Sequence, residues 1–160
     1  DLLYAPSAKV STAISTVVQF ESPIHATDLM TRVVSMWDTK AGSRIADLVN
    51  REIARAVRAG AIRKRGEFYW GPSDECTIRL REGTGIPGQR IAPEEYEVAI
   101  RRILASGSSV PRTALVTEVR SVFGFSRTGT LLEGAIVAVI DRLLASNDLG
   151  EGSAGICLRT

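Results

Sequence analysis

The chain has 160 residues, with 20 Lys and Arg against 18 Asp and Glu for a net charge of +2, and 44% of its residues are hydrophobic. That is an ordinary globular composition for one domain or two small ones. No run of about 18 apolar residues occurs, so no segment reads as a membrane-spanning helix.

The chain opens on Asp1 and Leu2 with no initiator Met and no signal-like apolar stretch, so it reads as a segment of a longer protein. Up to Pro6 it looks like linker. Between Ala8 and Phe20, Val10, Ile14, Val17 and Val18 fall at helical spacing and predict a first helix. Glu21-Ser22-Pro23 breaks it. A second helix is predicted from His25 to Trp37, burying Leu29, Met30, Val33, Val34 and Trp37, with a turn over Asp38 to Gly42.

The stretch from Lys40 to Trp70 carries the strongest signal. Residues 40–65 hold eight basic side chains (Lys40, Arg44, Arg51, Arg55, Arg58, Arg63, Lys64 and Arg65) against Asp47 and Glu52, a local charge of +6. On a helix advancing about 100° per residue, Arg51, Arg55 and Arg58 fall within roughly 40° of Arg44. Ile45, Val49, Ile53, Ala56 and Val57 fall opposite and form the core stripe. Leu48 lands near the basic ridge and reads as a partner or wing contact. Gly60 suits a left-handed helix end near Ala59. Ile62 to Trp70 then alternates and turns at Gly66, as a short hairpin does. A basic helix followed by a basic hairpin is the outline of a winged helix-turn-helix, whose third helix enters the major groove while the wing touches phosphate. Ser43 caps the helix or donates to a phosphate, capping being the default. Alternation puts Phe68 and Trp70 on one face, closing the core, and leaves Tyr69 as the aromatic free to meet DNA.

Gly71 to Ile91 holds glycines and prolines without helical period and reads as linker, with a short strand at Cys76 to Leu80. Gly83 to Gly88 formally matches GxGxxG, but Pro87 lies inside it and no helix begins directly after it, so it reads as part of the linker. Ala92-Pro93-Glu94-Glu95 opens another helix, its core face Tyr96, Ile100, Ile103 and Leu104, closed by Gly107. The dipole of that first turn accounts for Glu94, Glu95 and Glu97 without catalysis.

The second half then repeats the first. Val110, Leu115, Val119 and Phe123 follow Ile24, Leu29, Val33 and Trp37 by 86 residues, and Leu132, Ile136, Ile140 and Leu149 follow Ile45, Val49, Ile53 and Ile62 by 87. The ridge positions become Leu131, Ala138, Arg142 and Ala145, and the basic wing becomes Leu149-Gly150-Glu151-Gly152. The second copy therefore gains little from phosphate and reads as a protein-docking unit through Leu131, Ala138 and Ala145.

The expectation is a mainly α chain with short β-hairpin wings, built as tandem winged helix-turn-helix units: residues 1–72, a linker over 73–91, and residues 92–160. The DNA-contacting set is Lys40, Ser43, Arg44, Arg51, Arg55, Arg58, Arg63, Lys64, Arg65 and Tyr69. His25, the single histidine, reads as a local cap, so no His-based metal or triad site is assembled. Cys76 and Cys157 read as reduced thiols of a cytoplasmic protein. No enzyme activity, cofactor or metal is expected.

The run from about Glu21 to Trp70 (ESPIHATDLMTRV, the AGSRI turn and IRKRGEFYW) resembles a bacterial domain of unknown function. That domain lies near the C-terminus of very large superfamily 1 helicase-like proteins, many of which also carry a restriction-endonuclease-like domain. The downstream IAPEEYEVAI is similar to the segment C-terminal to that domain in such proteins. The resemblance implies a C-terminal accessory module of a DNA-processing ATPase. Binding of the first copy to duplex or forked DNA, and docking of the second on protein, the rest of the parent chain included, are expected from the residues alone. No GxxxxGK[ST] motif occurs in the 160 residues, so ATPase or nuclease activity would belong to the parent. The rival expectations are a pure protein-docking or dimerisation module and, more weakly, a free-standing transcriptional regulator.

Overall fold

The computed structural model describes residues 1–159, and the chain divides into two units, Asp1–Glu75 and Cys76–Thr160. The protein is mainly helical, with small antiparallel strand pairs.

In the first unit a 3-10 turn at Leu2–Tyr4 leads into α1 (Ser7–Glu21). The helix ends before a cis Ser22–Pro23 bond. β1 (Ile24–His25) follows, then α2 (Ala26–Ser35), whose first turn is capped by His25: its Nδ1 accepts from the Thr27 N–H at 3.1 Å. The histidine is thus the local cap its position suggested. Asp38 turns the chain with φ of 49°, and α3 (Ser43–Arg58) begins from an extended Gly42. α3 stops where Gly60 takes φ of 74°, a conformation that costs glycine little. β2 (Arg63–Arg65) and β3 (Phe68–Trp70) close a hairpin, and β1 adds to its other side to give the sheet order β1-β3-β2.

The core of this unit is one cluster. Val10, Ile14, Val17 and Val18 of α1, Leu29, Val33 and Val34 of α2, and Val49, Ile53 and Ala56 of α3 meet over Ile24, Ile62 and Tyr69. Leu48, expected to stand with the ridge, instead packs against this cluster.

The second unit runs α4 (Pro93–Leu104), α5 (Arg112–Val122), α6 (Thr130–Ala145) and a hairpin of β4 (Leu149–Gly152) with β5 (Gly155–Leu158). The repeat read in the sequence is also a repeat of elements. Adding 87 to the bounds of α3 returns those of α6, and adding 86 to the start of α2 returns the start of α5. Even the smallest pairing recurs: Ile24 pairs with Tyr69, and the residues 86 and 87 further on, Val110 and Ile156, form an isolated bridge. The left-handed residues Asp38 and Gly60 recur as Gly124 and Asn147.

Two expectations fail between the repeats. No strand forms at Cys76 to Leu80, and from Cys76 onward the supposed linker belongs to the second unit. Ile78 packs on its core, and the Arg81 N–H donates to the Phe123 carbonyl at 2.8 Å. Gly88, the last glycine of the GxGxxG run, is buried with its carbonyl accepting from the Tyr96 hydroxyl at 2.6 Å.

A buried ion pair explains why the segment packs. Glu95 is 0% exposed and Arg81 4%. Arg81 donates to both carboxylate oxygens at 2.7 Å, and the Arg79 N–H adds a bond to Oε1 at 2.7 Å. Glu95 stands in the first turn of α4, as expected, and it also fastens residues 79–81 to that helix.

Gly155 carries the tightest backbone requirement. It has φ of 122°, and a Cβ there would run into the Val110 carbonyl that its hairpin faces. Gly155→Ala is expected to destabilise the second unit by about 1–3 kcal/mol through backbone strain alone. Urea unfolding followed by circular dichroism measures this, and an unchanged midpoint would contradict it.

Candidate nucleic-acid interface

α3 presents the basic ridge to solvent: Arg44, Arg51, Arg55 and Arg58 are all exposed. The amphipathic pattern leaves no other face for them, because Val49, Ile53 and Ala56 occupy the core side. The four arginines are not equivalent. Arg55 donates to Ser7 Oγ at 2.6 Å and to Glu52 Oε2 at 3.2 Å, and Ser7 itself donates to Glu52 at 2.8 Å. Glu52 is buried, so this triad ties the start of α1 to α3 and gives a buried carboxylate its partners. In the second unit Arg142, at the corresponding position, instead donates directly to Glu97 of α4 at 2.9 Å. Arg55 is thus a structural tie within the exposed ridge, unlike the other three arginines.

Arg44, Arg51 and Arg58 make no ion pair or side-chain hydrogen bond among the described residues, and Lys40 stands exposed just before the helix. Ser43 is the first helical residue rather than the cap, which is Gly42, so the capping reading of Ser43 is corrected. Its hydroxyl is exposed at the positive end of the helix dipole.

The hairpin divides its cations by strand face. Lys64 is exposed, its ammonium 5.7 Å from the centre of the Tyr69 ring. Arg63 and Arg65, on the opposite face, both reach Asp74. Arg63 lies 2.8 Å from its Oδ1 and also donates to the Gly71 and Ser73 carbonyls at 3.0 and 2.8 Å. Arg65 donates to the same oxygen while its guanidinium lies 4.6 Å from the centre of the Trp70 ring.

Tyr69 corrects a further expectation. It is 9% exposed and belongs to the helical core, whereas Trp70 lies beneath Arg65 and Phe68 meets the His25 ring edge-on at 5.3 Å. Phe68 and Trp70 are buried as expected, at 9% and 1% exposure, but Tyr69, opposite Ile24, is buried as well. Tyr69 is not placed to stack on a base.

In the second unit the corresponding face of α6 carries Leu131, 67% exposed, with Ala138 and Ala145 also exposed. Its hairpin acid Glu151 is engaged by Arg112, which also reaches Asp141 at 2.7 Å. These bonds, the one to Asp141 foremost, hold the Arg112 guanidinium above its ordinary pKa. Chiefly through burial, and then through Glu95 and Glu94, the Cys76 thiol is pushed up to about 11. Alkylation of Cys76 at pH 8 is therefore expected to run at least about tenfold slower in the folded chain than in urea, since only the thiolate reacts. Peptide mass spectrometry after timed iodoacetamide treatment checks this, and equal rates would contradict it.

Over residues 1–47 the chain matches a family described as Protein of unknown function (DUF3320). The match takes in α1, β1, α2 and the start of α3, so Arg44 lies inside it and Arg51, Arg58 and the hairpin lie beyond. No curated protein matches the chain. No helix among the described residues is long and apolar enough to cross a membrane.

Proposed function

We propose that each unit is a winged helix and that the first binds duplex or forked DNA with low sequence specificity. α3 would lie in the major groove, with Lys64 of the hairpin against a flanking phosphate. The observation that carries this reading is the set Arg44, Arg51 and Arg58: three guanidiniums on one exposed helix face without internal partners. Arginine is costly to immobilise, and it is suited to phosphate and base-edge recognition when left unengaged. Lys40 and the Ser43 hydroxyl flank the same face. The second unit, with Leu131, Ala138 and Ala145 in place of the arginines, docks on protein, either elsewhere in its parent chain or on a partner. The chain is then a non-catalytic accessory module of a larger helicase- or nuclease-like DNA-processing protein in the cytoplasm. The resemblance of Glu21 to Trp70 supports that setting.

Fluorescence anisotropy with labelled duplex, forked and single-stranded DNA tests the reading. Binding to duplex and fork that weakens steeply as salt rises is expected, the slope counting the phosphates engaged. Flat signals with every DNA at low salt would leave only the protein-docking reading.

A further inference from the structure

Two guanidiniums on one face of the hairpin converge on a single carboxylate oxygen. Arg63 and Arg65 meet at Asp74 Oδ1, and Asp74 lies on the segment just after β3, with its side chain 71% exposed. The pair is presented by a fixed surface. Arg63 is clamped by the Gly71 and Ser73 carbonyls, and Arg65 lies against the Trp70 ring. Paired guanidiniums of this kind are an oxyanion seat, and a phosphodiester fits it at least as well as a carboxylate because it brings two free oxygens in tetrahedral array. We propose that Arg63 and Arg65 form a backbone-phosphate site on the hairpin that Asp74 occupies in the free protein, and that DNA binding displaces Asp74. This rests on the reading of the first unit as a DNA-binding winged helix and adds a masked contact to it.

The exposure of Asp74 decides that the mask is removable. An ion pair whose carboxylate is open to water is weak and readily exchanged, unlike the Arg81–Glu95 pair, which is buried on both sides. Hydrogen bonding from Arg63, with the charges of Arg63 and Arg65 behind it, holds the Asp74 carboxyl below its ordinary value of 3.8. In the bound state the two arginines join Arg44, Arg51, Arg58 and Lys64.

The test titrates labelled duplex with the whole chain as wild type, Asp74→Asn and Glu75→Gln, at rising salt. Glu75 is the control: it is exposed, adjacent and of the same charge, and its side chain engages neither arginine. Asp74→Asn is expected to bind about two- to fivefold more tightly than wild type. Its salt slope should stay close to that of wild type, because the same phosphates are engaged once Asp74 is displaced, and Glu75→Gln should change affinity by less than about twofold. Trp70 supplies a second readout, because Arg65 leaving its ring should change tryptophan emission on DNA addition. Equal strengthening by both substitutions would reduce the effect to net charge and overturn the proposal. So would an Asp74→Asn variant, folded by its tryptophan melt, that binds no better than wild type. In either case wild-type binding that depends on Arg44, Arg51 and Arg58 would leave the DNA reading standing. Absence of duplex binding by wild type and Asp74→Asn alike would end both.

Discussion

The combined Arg44→Ala, Arg51→Ala and Arg58→Ala variant is expected to lose about a hundredfold in duplex affinity near 0.1 M salt, with a salt slope shallower by about three. Each guanidinium that neutralises a phosphate releases a counterion, and these three have no internal role that would retain them. The same argument predicts small stability changes, within about 0.5 kcal/mol per site, because exposed and unpaired side chains stabilise the fold little. Arg55→Ala should behave in the opposite way. Removing it leaves buried Glu52 with Ser7 alone and should lower stability by about 1 kcal/mol, discounted for the exposed arginine, while changing DNA affinity by less than about threefold. The contrast separates two jobs within one ridge. An Arg55 variant that lost DNA binding as completely as the triple variant would show that the internal tie was misread.

Glu95→Ala is expected to cost the second unit about 3–5 kcal/mol, the usual consequence of leaving a buried guanidinium without its partner. For a unit of this size that lowers the melting temperature by roughly 10 °C or more. Both tryptophans, Trp37 and Trp70, lie in the first unit, so tryptophan emission follows that unit while circular dichroism follows both. The dichroism transition should lose stability in the variant. Glu95→Gln, which keeps acceptor geometry without the charge, should fall between it and wild type. A Glu95→Ala loss below about 1 kcal/mol would mean that water reaches Arg81 and that the pair is not the anchor of residues 79–81.

Local and periodic features are legible in the sequence. The core stripe of α3, the helix stop at Gly60, the turn at Gly66 and the offsets of 86 and 87 all follow from spacing and backbone preference. What sequence could not supply were partners distant along the chain. Ser7 and Arg55 are 48 residues apart, and Arg81 and Glu95 are 14 apart across a segment rich in glycine and proline. Charge counting alone cannot distinguish a free arginine from an engaged one, so it gave no sign of the Arg55 tie to Ser7 and Glu52 or of Arg63 and Arg65 meeting on Asp74. The Tyr69 assignment failed for a related reason. A period of two implies one wet face, but this three-residue strand, flanked by β1 and β2, is buried on both. The distances Ser7–Glu52–Arg55 carry no local signal, although the persistence of arginine at position 142, where the other three ridge positions change, was a hint.

The most direct test of the central claim is a map of backbone amide shifts as unlabelled duplex is titrated into the isotopically labelled chain. Shifts concentrated on residues 40–58 and on the hairpin at 63–70, with α6 and its hairpin nearly silent, are the predicted result. Shifts centred on residues 130–145 and 149–158, or on neither unit at low salt, would contradict it.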